Sequence, residues 1–472
     1  MSKPGSRVAE SRDDCPRSIR GLVQDDFQLT LQYVLARIRT FPGAGGAITS
    51  VGDDVTRANY GAIVERIDRL AHALAVLGVE QGDRVGTFAW NSQRHLECYF
   101  AIPCLGAILH TINPRLSPDQ IAYVVNHAED RVVLVDETLV PILAPLAPRL
   151  HTVEHFIVMG EGPTGSLPRV LRYEELLAAA DPGPPKYPPL DEKEAAALCY
   201  TSGTTGDPKG VLYSHRSTTL HAAGALMSDS LGITVADRIL VVVPMFHVNA
   251  WGLPYAAALA GATVVLPGRQ LGAQSLARLI EDERCTVMAC VPTIYADLLR
   301  YADEHRPDLR SLRTAICGGA AMPVSLAQAF EARHGVRMLQ AWGMTETSPI
   351  CTLARVLPGL DPKRSWDLRA TQGTPVPFVD LRLVGDDGAV VPWDGVSTGE
   401  IEVRGPWIAS AYYRDDDATR FDDGWLRTGD IARVQPEGWV QITDRSKDVI
   451  KSGGEWISSD ELENHLMAHP AV

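Results

Sequence analysis

Alternating helical and strand-like segments predict an α/β fold here, a large body of two α/β subdomains with a smaller β-rich subdomain behind it. Three observations carry that expectation. Short apolar runs recur between segments of helical periodicity. From about residue 376 the texture changes to brief strands with Gly and Asp turns. Of the 472 residues, 45% are hydrophobic and 22% charged, the balance of an ordinary chain with a substantial core.

Taken in order, Ile63, Ile67, Leu70, Ala71, Leu74 and Leu77 follow helical spacing, and Gly78 offers a C-terminal stop. Residues 84–89 and 131–136 read as buried strands. The proline-rich run 181–189 reads as an exposed connection between two lobes. Strands are predicted at 239–244, 286–292 and 313–318, with helices near 275–283 and 324–334. Val384-Gly-Asp-Asp-Gly388 and Gly399-Glu-Ile-Glu-Val-Arg-Gly405 typify the β-rich part. Ser458-Ser-Asp-Glu461 is a capping box ahead of Leu462 and Leu466, with Pro470 closing that helix.

Several function classes are disfavoured. The net charge of −14 argues against a nucleic-acid partner held by phosphate neutralisation. Cys15, Cys98, Cys104, Cys199, Cys285, Cys290, Cys317 and Cys351 form no Cys-x-x-Cys pair, which suits reduced thiols in a cytoplasmic protein without a metal or disulfide framework. The polar N-terminus lacks the apolar core of a signal peptide. Residues 239–268 carry no Asp, Glu, Lys or Arg, yet Pro244, Gly252, Pro254, Gly261 and Pro267 interrupt them. A strand–loop–helix–strand unit in a globular core is expected there, and no transmembrane helix.

Tyr200-Thr-Ser-Gly-Thr-Thr-Gly-Asp-Pro-Lys-Gly210 follows an apolar run. Its three glycines permit a tight backbone, its hydroxyls supply donors, and Lys209 supplies charge. Lysine is scarce, at seven of 44 basic residues. Such a loop can wrap a polyphosphate, although it lacks the Gly-x-x-x-x-Gly-Lys-Ser/Thr spacing of a Walker loop.

That loop resembles the phosphate loop of the adenylate-forming superfamily, and the further motifs of the superfamily follow in order. They are Pro244-Met-Phe-His-Val248, Gly318-Gly-Ala-Ala321, Gln340-Ala-Trp-Gly-Met-Thr-Glu346, Gly399–Gly405, Trp425-Leu-Arg-Thr-Gly-Asp430 and Asp444-Arg-Ser-Lys-Asp448. Val243–Trp251 and Lys451-Ser-Gly-Gly-Glu-Trp-Ile-Ser-Ser459 resemble the medium- and long-chain fatty-acyl-CoA synthetases most closely. The resemblance implies ATP, a fatty acid and CoA as substrates, Mg2+ as cofactor, and release of AMP and pyrophosphate. It admits peripheral membrane association and a homodimer. It also divides the chain into an adenylation domain, 1–444, and a hinge with the first helix of a truncated C-terminal lid, 445–472.

Residue by residue, the resemblance assigns Thr201, Ser202, Gly203, Thr204 and Thr205 to the β- and γ-phosphates, with Lys209 beside them. Thr201 and Glu346 would hold the metal, a pair of hard oxygen donors. Gly319, Gln340, Ala341 and Trp342 would line the adenine slot, Thr345 the α-phosphate. Asp430, with Arg445, would meet the ribose, and Lys451 and Trp456 the nucleotide side. His247, Val248, Trp251 and Gly319 would border the acyl group. Trp342 stands where most relatives carry tyrosine. Lys447 occupies the hinge, and a later lid lysine would fall beyond Val472. The chemistry joins an already ionised carboxylate to the α-phosphorus, so it demands positioning and charge neutralisation more than a base. Other readings remain open: a ligase handing its acyl-adenylate to a carrier protein, activation of a short thioether or branched acid, and a non-catalytic nucleotide- or acyl-binding remnant. Amino-acid adenylation is disfavoured by Asn249-Ala250-Trp251, where those domains place an aspartate.

Overall fold

The computed structural model describes residues 22–41, 45–201, 207–355, 358–416 and 418–444, and the backbone alone at Arg445 and in two short strands, Ile450–Ser452 and Glu455–Ile457. Cys15, Lys447 and the capping box at Ser458 lie outside these residues.

Two large sheets are built as the periodicity predicts. The seven-stranded sheet runs in the order Val170–Arg172, His155–Met159, Asp130–Asp136, Arg84–Phe88, Ile108–Thr111, Ala195–Tyr200, Gly210–Ser214. Its pairings are parallel except the last. The nine-stranded sheet has a parallel centre, Met338–Gly343, Thr314–Cys317, Val287–Cys290, Arg238–Val241, Thr263–Leu266 and Gly46–Val51. Antiparallel strands close both of its edges. Continuous Val/Ile/Ala runs are what a parallel strand covered on both faces requires.

One core unites the inner faces of both sheets with the helices Leu31–Thr40, Tyr60–Val76, Gln93–Cys104, His215–Leu226 and Leu253–Ala260. Separate cores lie beneath the outer helices, Ala273–Asp282, Pro292–His305 and Val324–His334 on one side and Pro118–Ala128 on the other. The result is five layers, helices alternating with sheets. Local chemistry sets the helix ends. Asn59 accepts from the Ala62 N–H at 2.9 Å to start Tyr60–Val76, and Gly78, with φ +80°, follows its end as the sequence suggests. Behind this body the β-rich part is an antiparallel sheet of Asp380–Val384, Thr398–Arg404, Trp425–Val434, Phe421–Asp422 and Val440–Arg445.

One expectation needs correction. The run 181–189 does not join two lobes, because the strands after it, Ala195–Tyr200 and Gly210–Ser214, return to the sheet that precedes it. It is strapped down: Tyr187 donates to Asp68 at 2.8 Å, and the Pro188 carbonyl accepts from Gln32 at 2.8 Å. The chain enters the seven-stranded sheet from the nine-stranded one across the helix Tyr60–Val76 and returns to that one across His215–Leu226. The charge-free stretch forms Arg238–Val241, a turn, Leu253–Ala260 and Thr263–Leu266, as expected. Among the described residues no helix is long and apolar enough to cross a membrane. The seven described cysteines are all buried free thiols.

Candidate active site

Because the central strands are parallel, their C-terminal ends face the same way, the place where open α/β sheets gather ligands. A cleft of about 1000 Å³ opens there. It is lined by segments that leave strand ends one after another: Asn113 and Arg115, Thr201, Pro244–Trp251, Val291, Gly318-Gly319 and Ala341–Glu346, closed by Tyr412–Asp415 of the following region.

At one end Thr201 and Lys209 face each other at the tip of the antiparallel pair Ala195–Tyr200 and Gly210–Ser214. The Thr201 N–H donates to the Lys209 carbonyl at 2.9 Å, and the Lys209 N–H donates to Thr201 Oγ1 at 3.1 Å. These two crossed bonds tie Thr201 to Lys209 and extend the pairing of the two strands. Lys209 pairs with Asp415 at 3.1 Å and lies 4.8 Å from the centre of the Tyr412 ring. Glu346 is buried, and its Oε1 accepts from the Tyr412 hydroxyl at 2.5 Å. Its carbonyl accepts from the Ala409 N–H at 2.7 Å, while the neighbouring Thr345 carbonyl accepts from Tyr213 at 2.7 Å. The acidic end of the cleft is therefore braced from both sheets and from the β-rich part.

The other end is apolar, with Val242, Val243, Phe246, Val248, Trp251, Leu271, Ile294 and Ile316. It is shaped by a left-handed turn: φ is +45°, +48°, +51° and +56° at Val248, Asn249, Ala250 and Trp251, and +69° at Gly252. Left-handed backbone costs a residue with a Cβ roughly 1–2 kcal/mol. Hydrogen bonds hold it in place. Asn249 Oδ1 accepts from Cys199 at 3.3 Å, and just upstream Asn91 accepts from the Met245 N–H at 2.7 Å while donating to the Val241 and Val243 carbonyls. The turn sets the Trp251 ring against Gly318, where an added Cβ would lie 3.0 Å from the indole. His247 faces the same space. Burial, with the Arg115 guanidinium nearby, lowers its imidazole below the usual 6.5 and keeps it neutral at pH 7.

A family model for the AMP-binding enzymes matches residues 38–413. The chain belongs to this family. Among curated relatives, it is 46% identical to the 3-methylmercaptopropionyl-CoA ligase of Ruegeria lacuscaerulensis over 90% of this chain and 80% of that protein. It is 48% identical to the long-chain-fatty-acid–CoA ligase of Thermus thermophilus over 89% and 77%. Its fold matches the anthranilate CoA ligase AuaEII, solved with anthranoyl-AMP, with a TM-score of 0.84 and 29% identity over 95% of this chain and 84% of that one. As an AMP-binding enzyme this close to CoA ligases over most of its length, it is an AMP-forming acid–thiol ligase.

The cleft gathers most of the described residues singled out by motif: Thr201, Lys209, His247, Val248, Trp251, Gly319, Ala341, Trp342, Thr345 and Glu346 all line it. Two are placed otherwise. Gln340 is buried outside the lining, its Oε1 accepting from the Met322 N–H at 2.7 Å, so its side chain pins the 318–322 turn and does not reach into the slot. Asp430 stands behind Trp342 and accepts from the indole Nε1 at 2.9 Å. Ser202, Gly203, Thr204, Thr205 and Lys447, and the side chains of Arg445, Lys451 and Trp456, lie outside the described residues. Motif reading missed Tyr412, Asp415, Asn91 and Tyr213. Each acts by contact with a motif residue far away in the chain, so no local spacing marks it.

Proposed function

We propose that this protein activates a medium- or long-chain fatty acid with ATP, through the acyl-adenylate, to its CoA thioester, releasing AMP and pyrophosphate. The observation that carries the reading is the division of one cleft into a hydroxyl- and carboxylate-bearing end at Thr201 and Glu346 and an apolar end at Phe246, Trp251 and Ile294. An acyl chain needs the second and a nucleotide the first. At the position where amino-acid-adenylating domains place an aspartate, Asn249 is a buried amide that accepts from Cys199.

Thr201 and Glu346 suit a magnesium ion carried by the nucleotide. Glu346 has one carboxylate oxygen bonded to Tyr412 and a second to offer, and no group of three or more His, Cys, Asp or Glu among the described residues builds a resident metal site. Magnesium there would neutralise charge on the polyphosphate. His247, neutral and without a carboxylate partner among the described residues, borders the reacting carboxylate and positions it. Aromatic rings and the left-handed turn shape the acyl wall. The chain's own surroundings for this chemistry are cytoplasmic.

Pyrophosphate release across a chain-length series of acids, with and without CoA, tests the reading. Turnover peaking at medium- or long-chain acids and rising with CoA supports it. Pyrophosphate release indifferent to CoA would favour a ligase serving a carrier protein. A peak at short thioether acids would favour the second reading, which the 46% identity to the Ruegeria enzyme supports.

A further inference from the structure

Two residues of the cleft wall are held in place from the opposite sheet. Pairing of the strand Arg238–Val241 with its neighbours ends at Leu240 and Val241, and the chain then turns, the His247 N–H donating to the Pro244 carbonyl at 3.0 Å. Met245 and Phe246 are the central residues of that turn. Phe246 and His247 line the cleft, whereas Met245 is fully buried.

Both backbone polar groups of Met245 are gripped by the segment that follows the strand Arg84–Phe88 of the seven-stranded sheet. Its N–H donates to Asn91 Oδ1 at 2.7 Å, and its carbonyl accepts from the Tyr99 hydroxyl. Asn91 also donates from Nδ2 to the Val241 carbonyl at 2.7 Å and to the Val243 carbonyl at 2.9 Å. Its own carbonyl accepts from the Gly268 N–H at 3.0 Å. One backbone N–H and two backbone carbonyls leave the amide a single orientation, because the flipped group would set N–H against N–H and oxygen against oxygen. Next to it, the Trp90 ring meets Phe246 edge-on at 6.2 Å.

Asn91 is buried, so its bonds run where water does not compete. Those partners belong to the nine-stranded sheet, and the amide therefore fixes the spacing of the two sheets at the edge where the cleft opens. A hydrogen-bonded turn has little internal freedom, so holding Met245 also holds Phe246 and His247. Glu346, by contrast, is braced by Tyr412 and Ala409, which Asn91 does not touch.

We propose that Asn91 is a positioning residue for the acid substrate: through Met245 it sets where Phe246 and His247 stand, and with them how the carboxyl end of the acid is held for attack on the nucleotide. The proposal rests on the reading of the cleft's apolar end as the acid site. Misplacing a positioned group by about 1 Å costs on the order of 10²-fold in rate.

Asn91→Ala should lower kcat/KM for octanoate and palmitate on the order of 10²-fold, while the Kd of magnesium ATP, measured calorimetrically without acid, stays within about twofold. Tyr99→Phe keeps the ring and removes only the bond to the Met245 carbonyl, and should lower the same kcat/KM values by roughly 5–10-fold. An amide that merely supports the fold would cost stability and weaken both substrates alike. A folded Asn91→Ala protein whose acid kinetics equal the parent's, or whose ATP affinity falls by the same factor as its acid kinetics, would therefore overturn the proposal. Should that variant fail to fold, unchanged acid kinetics in Tyr99→Phe overturn it equally. A parent that turns over a short thioether acid and neither fatty acid sinks the fatty-acid reading alone, and the Asn91 comparison is then decided with that acid.

Discussion

The two ends of the cleft are built by opposite strategies. At the phosphate end, regular antiparallel pairing of Ala195–Tyr200 with Gly210–Ser214 delivers the loop, and the bonds between Thr201 and Lys209 finish a ladder already in place. At the acyl end, four consecutive non-glycine residues take the left-handed conformation and stay there because surrounding groups hold them. The first is a local design, written in Gly, Thr and Pro. The second is imposed from outside, and disturbing its supports should matter more than disturbing its own residues.

The largest effect expected is catalytic and belongs to the phosphate end. Glu346→Gln keeps the bond from Tyr412 but removes one negative charge, and should lower pyrophosphate release on the order of 10²–10³-fold with the fold intact. Magnesium dependence and a rate equal to the parent's would remove Glu346 from the metal.

Acid should weaken the fold through its buried histidines, one of which supports the acyl end. His221 lies against Gly252 in the left-handed turn, and its Nε2 accepts from the Ile350 N–H at 3.4 Å. Burial lowers its pKa from 6.5 to about 4, and does the same to His95 and His215. A base whose folded pKa is depressed stabilises fully above its unfolded value. Its contribution falls away as pH drops from about 6.5 towards 4, by roughly 3 kcal/mol per histidine in total. Denaturant midpoints measured from pH 7 to pH 4 should decline accordingly, and His221→Gln should flatten part of that slope. A parallel decline in the variant would mean that His221 does not titrate as its burial implies.

A smaller, steric test sits at the same contact. In Gly252→Ala the new Cβ would lie 2.6 Å from the His221 ring at φ +69°, with a cost of about 1–3 kcal/mol in thermal or chemical unfolding. Stability equal to the parent's would show that the turn can relax.

The finest comparison sets two alanines side by side. Ala250, at φ +51° in the turn, gains conformational relief on becoming glycine, whereas Ala257 inside the helix Leu253–Ala260 loses helix propensity. Ala250→Gly should therefore be the milder change by about 1–2 kcal/mol. Equal losses would imply that packing, with both residues fully buried, outweighs backbone strain.

Motif order and apolar periodicity were enough to place Thr201, Lys209, His247, Trp251 and Glu346 around one cleft, because parallel strands send their following loops to the same edge. The α/β class, the helix stop at Gly78 and the β-rich texture after residue 376 come from local preferences, which act between residues close in the chain. Tertiary structure decided what depends on distant partners. It returned the strands after the run 181–189 to the first sheet, turned Gln340 onto Met322, set Asp430 behind Trp342, and seated Tyr412 on Glu346. It also held Val248–Trp251 in a conformation those residues disfavour by themselves, through Asn91, Cys199 and the room beside His221. Energies of a fraction of a kcal/mol per residue can be read along the chain, but bonds spanning more than a hundred residues exist only once both sheets are assembled.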